Sequence, residues 1–95
     1  MTKRPQQGNW TFLSNHGHVL ILLGKKPESL IREIADEVGI TERAVQGIIA
    51  DLEGEGYISV ERIGRRNVYR VNRKSKFRHP AEAHRSIDAL LKIFT

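Results

Sequence analysis

The chain has 95 residues, no cysteine, and 16 Lys and Arg residues against 11 Asp and Glu residues, for a formal net charge of +5. A single domain of this size buries only about 60–68% of its unfolded surface, which leaves few apolar residues to line a large enzyme pocket. The absence of cysteine excludes disulfides, zinc fingers and thiol catalysis. The sequence has no apolar run of the kind found in signal peptides or membrane spans, which indicates a cytoplasmic protein.

The first predicted elements are a flexible arm over residues 1–8 and a helix from about Trp10 to Leu23. Asn9 is expected to cap this helix, because its short polar side chain can accept a hydrogen bond from the first turn. Gly24 is expected to end the helix, and a turn follows.

Two further helices are predicted in the middle of the chain. Ser29 is the expected cap of the second helix and Gly39 its stop, while Thr41 is the expected cap of the third. The apolar residues of the third helix recur at helical spacing and define a core face. That face comprises Ala44, Val45, Ile48, Ile49 and Leu52.

The second half of the chain changes from helical to strand periodicity. Residues 57–62 and 68–71 are predicted strands, and the segment 63–67 between them is predicted to be a basic hairpin tip. After a polar connector over residues 72–79, Pro80 is expected to begin a last helix. The apolar stripe of that helix comprises Ala83, Ile87, Leu90, Leu91 and Phe94.

The order of these elements is typical of a winged helix-turn-helix. Residues 31–50 read IREIADEVGITERAVQGIIA, with Ala35 four positions before the turn residue Gly39. Two helices crossing at about 90–120° need a small side chain where they meet and a turn residue that tolerates positive φ. We therefore predict a mainly α-helical winged helix-turn-helix domain with a β-hairpin wing over residues 9–79. Residues 80–95 are predicted to form a C-terminal dimerisation helix.

Half of the positive charge lies in the predicted hairpin and its connector. Residues 62–78 contain 8 of the 16 Lys and Arg residues and no acid, whereas the rest of the chain has 8 basic and 11 acidic residues, a net charge of −3. Such a concentration of one sign favours a polyanionic partner over a merely solvated surface.

Three motifs give the sequence a family resemblance. They are the helix-turn-helix segment, the Gly-Arg-Arg-Asn wing at residues 64–67, and the Arg-His-Pro junction at residues 78–80. Across residues 10–94, and most closely in residues 30–71, the chain resembles the ArsR/MarR-type winged-helix transcriptional regulators of bacteria and archaea. The resemblance implies sequence-specific binding of double-stranded DNA, usually as a homodimer.

The outward face of the third helix supplies the predicted base readers. Arg43 can donate two hydrogen bonds to guanine, and Gln46 can pair with adenine. Thr41 is expected to cap the helix and contact a phosphate, and Gly47 permits close approach to DNA. Glu42 fits either a contact with cytosine or a favourable position at the positive end of the helix.

The hairpin tip is predicted to make a second contact with DNA. Arg65 and Arg66 can enter a minor groove or bind phosphates, which gives affinity with little dependence on base identity. Asn67 is assigned to the same DNA-binding set, with shaping of the turn as its alternative role.

The chain ends are assigned to a dimer interface, with packing of the last helix inside its own chain as the alternative. The assigned residues are Trp10, Phe12, Ala83, Ile87, Leu90, Leu91 and Phe94. In a two-fold dimer, two recognition helices would meet half-sites about 34–36 Å apart.

No enzymatic activity, metal or cofactor is predicted. His16 and His18 are two positions apart and His79 and His84 five, so neither pair has the i,i+4 spacing of a helical zinc motif. A metal site that takes its ligands from both subunits of a dimer is the alternative that this spacing leaves. The leading hypothesis is a dimeric repressor. Its alternatives are a winged-helix module that binds protein or RNA, and a metal- or ligand-responsive sensor whose effector the sequence does not identify.

Overall fold

The computed structural model describes residues 10–94, so the predicted arm and the cap at Asn9 lie outside the described residues. The fold is mainly helical, with one two-stranded antiparallel hairpin. Its elements in chain order are α1 Asn15–Lys25, α2 Ile31–Val38, α3 Glu42–Gly54, β1 Ile58–Ile63, β2 Arg66–Val71 and α4 Ile87–Ile93. Within the described part of the chain, no helix has the length and apolar character needed to span a membrane.

The first helix begins later than the sequence pattern predicts. Ser14 is its cap, because the Ser14 hydroxyl accepts a hydrogen bond from the Gly17 N–H at 3.2 Å. Trp10 and Phe12 therefore precede the helix, and both side chains are exposed. The helix also continues through Gly24 to Lys25, so the prediction that Gly24 ends it is wrong.

The helix-turn-helix itself has the predicted turn and the predicted third cap. Gly39 has a φ of 84°, the left-handed conformation that favours glycine, and it ends α2. The Thr41 hydroxyl accepts from the Ala44 N–H at 3.0 Å and caps α3. The cap predicted for α2 is wrong: Ser29 donates to the Lys26 carbonyl, and the Glu33 carboxylate instead accepts from the N–H of Leu30.

The hydrophobic core of residues 10–94 lies between α1, α2, α3, the hairpin and α4. Its most deeply buried large side chains are Val19, Leu23, Ile34, Val45 and Leu91. The core face of α3 is narrower than predicted, because Ala44 is exposed while the other four residues of that face are buried.

The hairpin loop is shorter than the sequence predicts. Strands β1 and β2 pair down to Ile63 and Arg66, so the loop consists of Gly64 and Arg65 alone. Gly64 has a φ of 63° and Arg65 has no positive φ, the pattern of a type II′ turn. The short turn extends both strands and leaves Arg65 at the tip.

The last helix begins at Ile87 and not at Pro80 as predicted. Its first N–H groups are already occupied, because those of Ile87 and Asp88 donate to the carbonyls of Ser75 and Arg73 at 2.7 and 3.0 Å. The connector therefore acts as the cap of α4. Ala83 precedes the helix and is exposed, so it is not part of the apolar stripe.

Candidate nucleic-acid interface

The first two turns of α3 present an exposed polar face. Glu42, Arg43, Gln46 and Gly47 are all exposed, and so is the cap Thr41. Among residues 10–94, neither Arg43 nor Gln46 has a side-chain hydrogen-bond or ion-pair partner, so their donors and acceptors are available to an external molecule. Val45 and Ile48 on the opposite side are buried, which holds the helix in this orientation.

The beginning of α3 combines capping with a positive helix end. Thr41 uses a lone pair to accept from the Ala44 N–H, so its hydroxyl proton stays available to a phosphate oxygen. Glu42 occupies the first turn, where an acid interacts favourably with the helix dipole.

Gly47 creates an open space on the same face. A Cβ built at this position meets no other atom within 4 Å. Nothing inside the described protein therefore requires glycine here, although glycine lowers the stability of a helix interior by about 0.5–1 kcal/mol relative to alanine. Because Gly47 has no side chain, a large partner can come close to the helix backbone at this position.

The wing places its arginines in different environments. Arg65 sits at the tip, exposed and without a side-chain partner among the described residues. Arg66, in contrast, donates from Nη2 to the carbonyl of Glu28 at 3.2 Å, in the turn between α1 and α2. The two arginines, predicted as equivalent, thus divide into one free group and one that attaches the wing to the helices.

A second contact holds the wing in place. The N–H of Tyr69 donates to the carbonyl of Pro27 at 2.9 Å, and the Tyr69 side chain is buried. Asn67 is not in the turn: it belongs to β2, opposite Arg62, and its side chain is exposed. Its predicted alternative role of shaping the turn is therefore wrong. The anchoring role of Pro27 and Glu28 had no sequence signal, because it is performed by backbone carbonyls.

Further basic residues of the segment 62–78 are used within the fold. Arg70 pairs with Glu61 at 2.9 Å across the hairpin. Arg73 bonds Asp88 at 2.8 Å, and Lys92 bonds the same carboxylate at 3.2 Å. The hydrogen bond from Arg73 has the larger effect and that from Lys92 the smaller, and both lower the pKa of Asp88 below its ordinary value. Side chains without a partner among residues 10–94 include those of Arg65, Lys74, Lys76 and Arg78.

The residues assigned to a dimer interface fall into two groups. Ile87 and Leu91 are buried within their own chain, so the part of the assignment that places them on a free surface is wrong. Trp10 and Phe12 are 72% and 93% exposed, and their rings pack edge to face with centroids 5.1 Å apart. Phe94 is also exposed, Leu90 is half-buried, and Ile93, which the sequence pattern did not single out, is 71% exposed.

The histidines make local contacts. Nε2 of His16 lies 2.8 Å from an Asp51 carboxylate oxygen, and Nδ1 of His79 accepts from the Ala81 N–H at 3.0 Å. Within residues 10–94, no three or more His, Asp or Glu side chains come together as a metal site would require.

The arrangement of α2, the Gly39 turn, α3 and the hairpin defines the class of the protein. It is a winged helix-turn-helix, with its recognition helix at α3 and its wing at β1 and β2. The family described as winged helix-turn-helix DNA-binding matches residues 14–59, so this segment of the chain is similar to DNA-binding domains of that type.

A solved structure shares the fold at low sequence identity. The zinc-responsive MarR family member ZitR of Lactococcus lactis is 22% identical, with a TM-score of 0.55. The match covers 75% of this chain but 51% of the ZitR chain, so the chain spans about half the length of that protein. No curated protein matches the sequence.

Proposed function

We propose that the protein is a dimeric, sequence-specific transcriptional regulator that represses by occupying a promoter. The observation that carries the proposal is the exposed face of α3, where Arg43 and Gln46 are unpaired among the described residues and precede the open position at Gly47. A helix-turn-helix inserts this part of its second helix into the major groove. Guanine and adenine present there the acceptor and donor patterns that Arg and Gln side chains match.

The wing supports affinity more than specificity. Its attachment to Pro27 and Glu28 fixes the hairpin relative to α3, so Arg65 projects from a defined position. A guanidinium at such a tip binds phosphates or enters a minor groove, and this electrostatic contribution weakens with salt. Arg66 contributes to DNA binding chiefly by holding the wing.

The exposed apolar residues at the chain ends support a dimer. We define the terminal apolar surface as Trp10, Phe12, Ile93 and Phe94. Burial of such aromatic and aliphatic side chains is the main favourable contribution to association. A two-fold dimer places two α3 helices on half-sites about 34–36 Å apart, and the operator is then palindromic.

Selection of bound duplexes from a random DNA pool, at stated salt concentration, tests the function. We expect enrichment of a palindrome with one-turn half-site spacing. Recovery of duplexes without a common sequence, or preferential recovery of RNA in a parallel pool, would instead favour the non-operator interaction module.

Replacement of Arg65 by Ala tests the role assigned to the wing tip. We expect weaker binding to every duplex and a salt slope reduced by about 1, because one phosphate-neutralising contact is lost. Arg85→Ala removes the same charge from the segment before α4 and serves as the control. Loss of preference at one base position in Arg65→Ala, with the salt slope unchanged, would contradict the assignment.

Substitution of Ile93 by Glu tests the dimer surface. We expect the sedimentation mass to fall to that of a monomer and DNA affinity to fall with it, while the circular dichroism spectrum is unchanged. Ile63→Glu makes the same change at another exposed isoleucine, in the wing, and should remain dimeric. Leu91→Glu does not provide a clean test, because Leu91 is 1% exposed and its replacement would disrupt the core.

A further inference from the structure

An open groove lies at the opposite end of α3 from the DNA-reading residues. Its volume is about 490 Å³, within the range of about 300–1,000 Å³ typical of small-molecule sites. Its apolar part includes the buried Leu20, Leu52 and Ile87, which come from α1, α3 and α4. Three aromatic residues, Phe12, Tyr57 and Phe77, also line it. Four separate segments of the chain therefore converge on one apolar cavity.

The charged side chains of the groove have a different balance from the rest of the protein. Asp51 and Glu55 contribute two negative charges and Arg78 one positive charge, so the lining is net −1 with His16 neutral, in a protein of net charge +5. Nε2 of His16 lies 2.8 Å from a carboxylate oxygen of Asp51. The groove thus combines apolar walls with a local excess of acid.

The end of α3 adds to the negative potential. Asp51 lies in the last turn of α3 and Glu55 is its C-terminal cap, so both carboxylates accompany the negative end of the helix dipole. Aromatic ring faces also attract cations through their quadrupoles, and quaternary ammonium ligands are recognised in this way. The acids, the helix end and the aromatic rings all favour the same sign of ligand charge.

We propose that this groove binds an organic cation with an apolar body, of the quaternary ammonium or phosphonium type. The apolar part occupies the space over Leu20, Leu52 and Ile87, and the positive centre lies towards Asp51, Glu55 and the aromatic rings. The site is separate from the DNA-reading residues, since Asp51 lies eight positions after Arg43, about 12 Å along the helix axis. The proposal is therefore independent of base reading by α3 and can fail without it, although the groove shares Phe12 with the proposed dimer surface.

Calorimetric titration with two ions of matched shape and opposite charge tests the proposal. The full chain is titrated with tetraphenylphosphonium and, separately, with tetraphenylborate. We expect the phosphonium to bind more tightly, although the net charge of the protein favours the borate. Equal or tighter binding of the borate would overturn the proposal.

A double variant, Asp51→Asn with Glu55→Gln, tests the acids directly. Both altered side chains are exposed, so the fold should persist. We expect phosphonium affinity to fall about tenfold, because two exposed charge contacts of ordinary strength are removed. Glu53→Gln, on the same helix but outside the groove, is the matched control and should bind like the wild type. Equal losses in the control and the double variant would refute the assignment.

Two additional measurements identify the occupant of the groove. Phe12→Ala removes a 93% exposed wall residue and should weaken phosphonium binding without affecting the core. Unchanged affinity in this variant would contradict the aromatic contribution. Phosphonium affinity that decreases as the protein is concentrated would show that a second copy of the chain fills the groove, and this too would overturn the proposal.

Discussion

The recognition face and the terminal junction of this small domain use charge in opposite ways. On the recognition face, defined as the exposed first turns of α3 with the wing tip, Arg43 and Arg65 have no side-chain partner among residues 10–94. At the terminal junction, where the connector and α1 meet α4, Arg73 and Lys92 both bind Asp88. Unpaired guanidinium groups can exchange water for a DNA contact without first breaking an internal bond. Paired groups stabilise the position of a helix instead.

The same contrast applies to glycine. Gly47 on the recognition face has open space where a Cβ would be, whereas a Cβ at Gly24 would lie 3.2 and 3.3 Å from the two terminal carbons of Leu91. One glycine leaves room for an external partner, and the other lets α4 pack closely on α1. The difference shows that residue type alone does not separate a functional glycine from a structural one.

The largest effect is expected from placing leucine at each of these glycines. Gly24→Leu should lower the free energy of unfolding by about 1–3 kcal/mol, because the added side chain overpacks the contact with Leu91. Gly47→Leu should raise it by about 0.5–1 kcal/mol, since leucine favours a helix over glycine. The same Gly47→Leu protein should bind DNA at least about tenfold more weakly, equivalent to about 1.4 kcal/mol. Urea unfolding and DNA titration measure the two quantities, and tight DNA binding by Gly47→Leu would place the interface elsewhere.

The next effect compares two arginines. Arg43→Ala should reduce discrimination at one base position by about 1–3 kcal/mol and change stability by less than about 0.5 kcal/mol. Arg73→Ala, which removes the same charge from the terminal junction, should lower stability by up to about 1 kcal/mol and leave the base preference intact. Competition titrations with single-base operator variants measure the preference. An identical specificity profile for wild type and Arg43→Ala would exclude Arg43 as a reader.

The smallest effect is a pH dependence at the terminal junction. Because its partners lower the pKa of Asp88, the folded state favours the ionised carboxylate over the protonated one. The resulting stabilisation is complete above the unfolded-state pKa of about 3.9 and is lost as the pH falls through the lower folded-state value. The melting temperature of Asp88→Asn should therefore lie below that of the wild type at neutral pH, and the gap should close in acid. Asp36→Asn, at an exposed position on α2, is the control; a gap that persists at the lowest pH would contradict the role of Asp88.

Local sequence signals were sufficient for the turn and the third helix of the helix-turn-helix, although not for the cap of α2. The positive φ of Gly39 and the hydroxyl cap of Thr41 each depend on one residue and its immediate neighbours, so the residue types glycine and threonine were enough to predict the turn and the cap. The buried positions of α3 followed from helical periodicity, except for Ala44, whose small apolar side chain fits either face. The exposed positions of Arg43, Gln46 and Gly47 follow from the same geometry.

The chain ends were harder to predict because their boundaries depend on distant contacts. The apolar residues Trp10 and Phe12 resemble a helical core pattern, yet the Ser14 cap begins α1 after them. Pro80 has the residue type of a helix start, but the carbonyls of Arg73 and Ser75 cap a helix that begins at Ile87. The helix propensities of Pro80 and its neighbours carry no information about carbonyl acceptors that lie elsewhere in the chain.

The fold class, the order of the elements and the polar face of α3 follow from the amino-acid sequence, because periodicity, turn glycines and caps act over a few residues. Which charged side chains are unpaired and which apolar residues are exposed depends on contacts between residues that are distant in the sequence. Arg65 and Arg66 are neighbours of identical type, but Arg65 lies in the turn while Arg66 begins β2 and donates to the Glu28 carbonyl. Leu91 and Phe94 belong to one predicted stripe, and the packing of α4 on Gly24 buries the first while the second stays exposed.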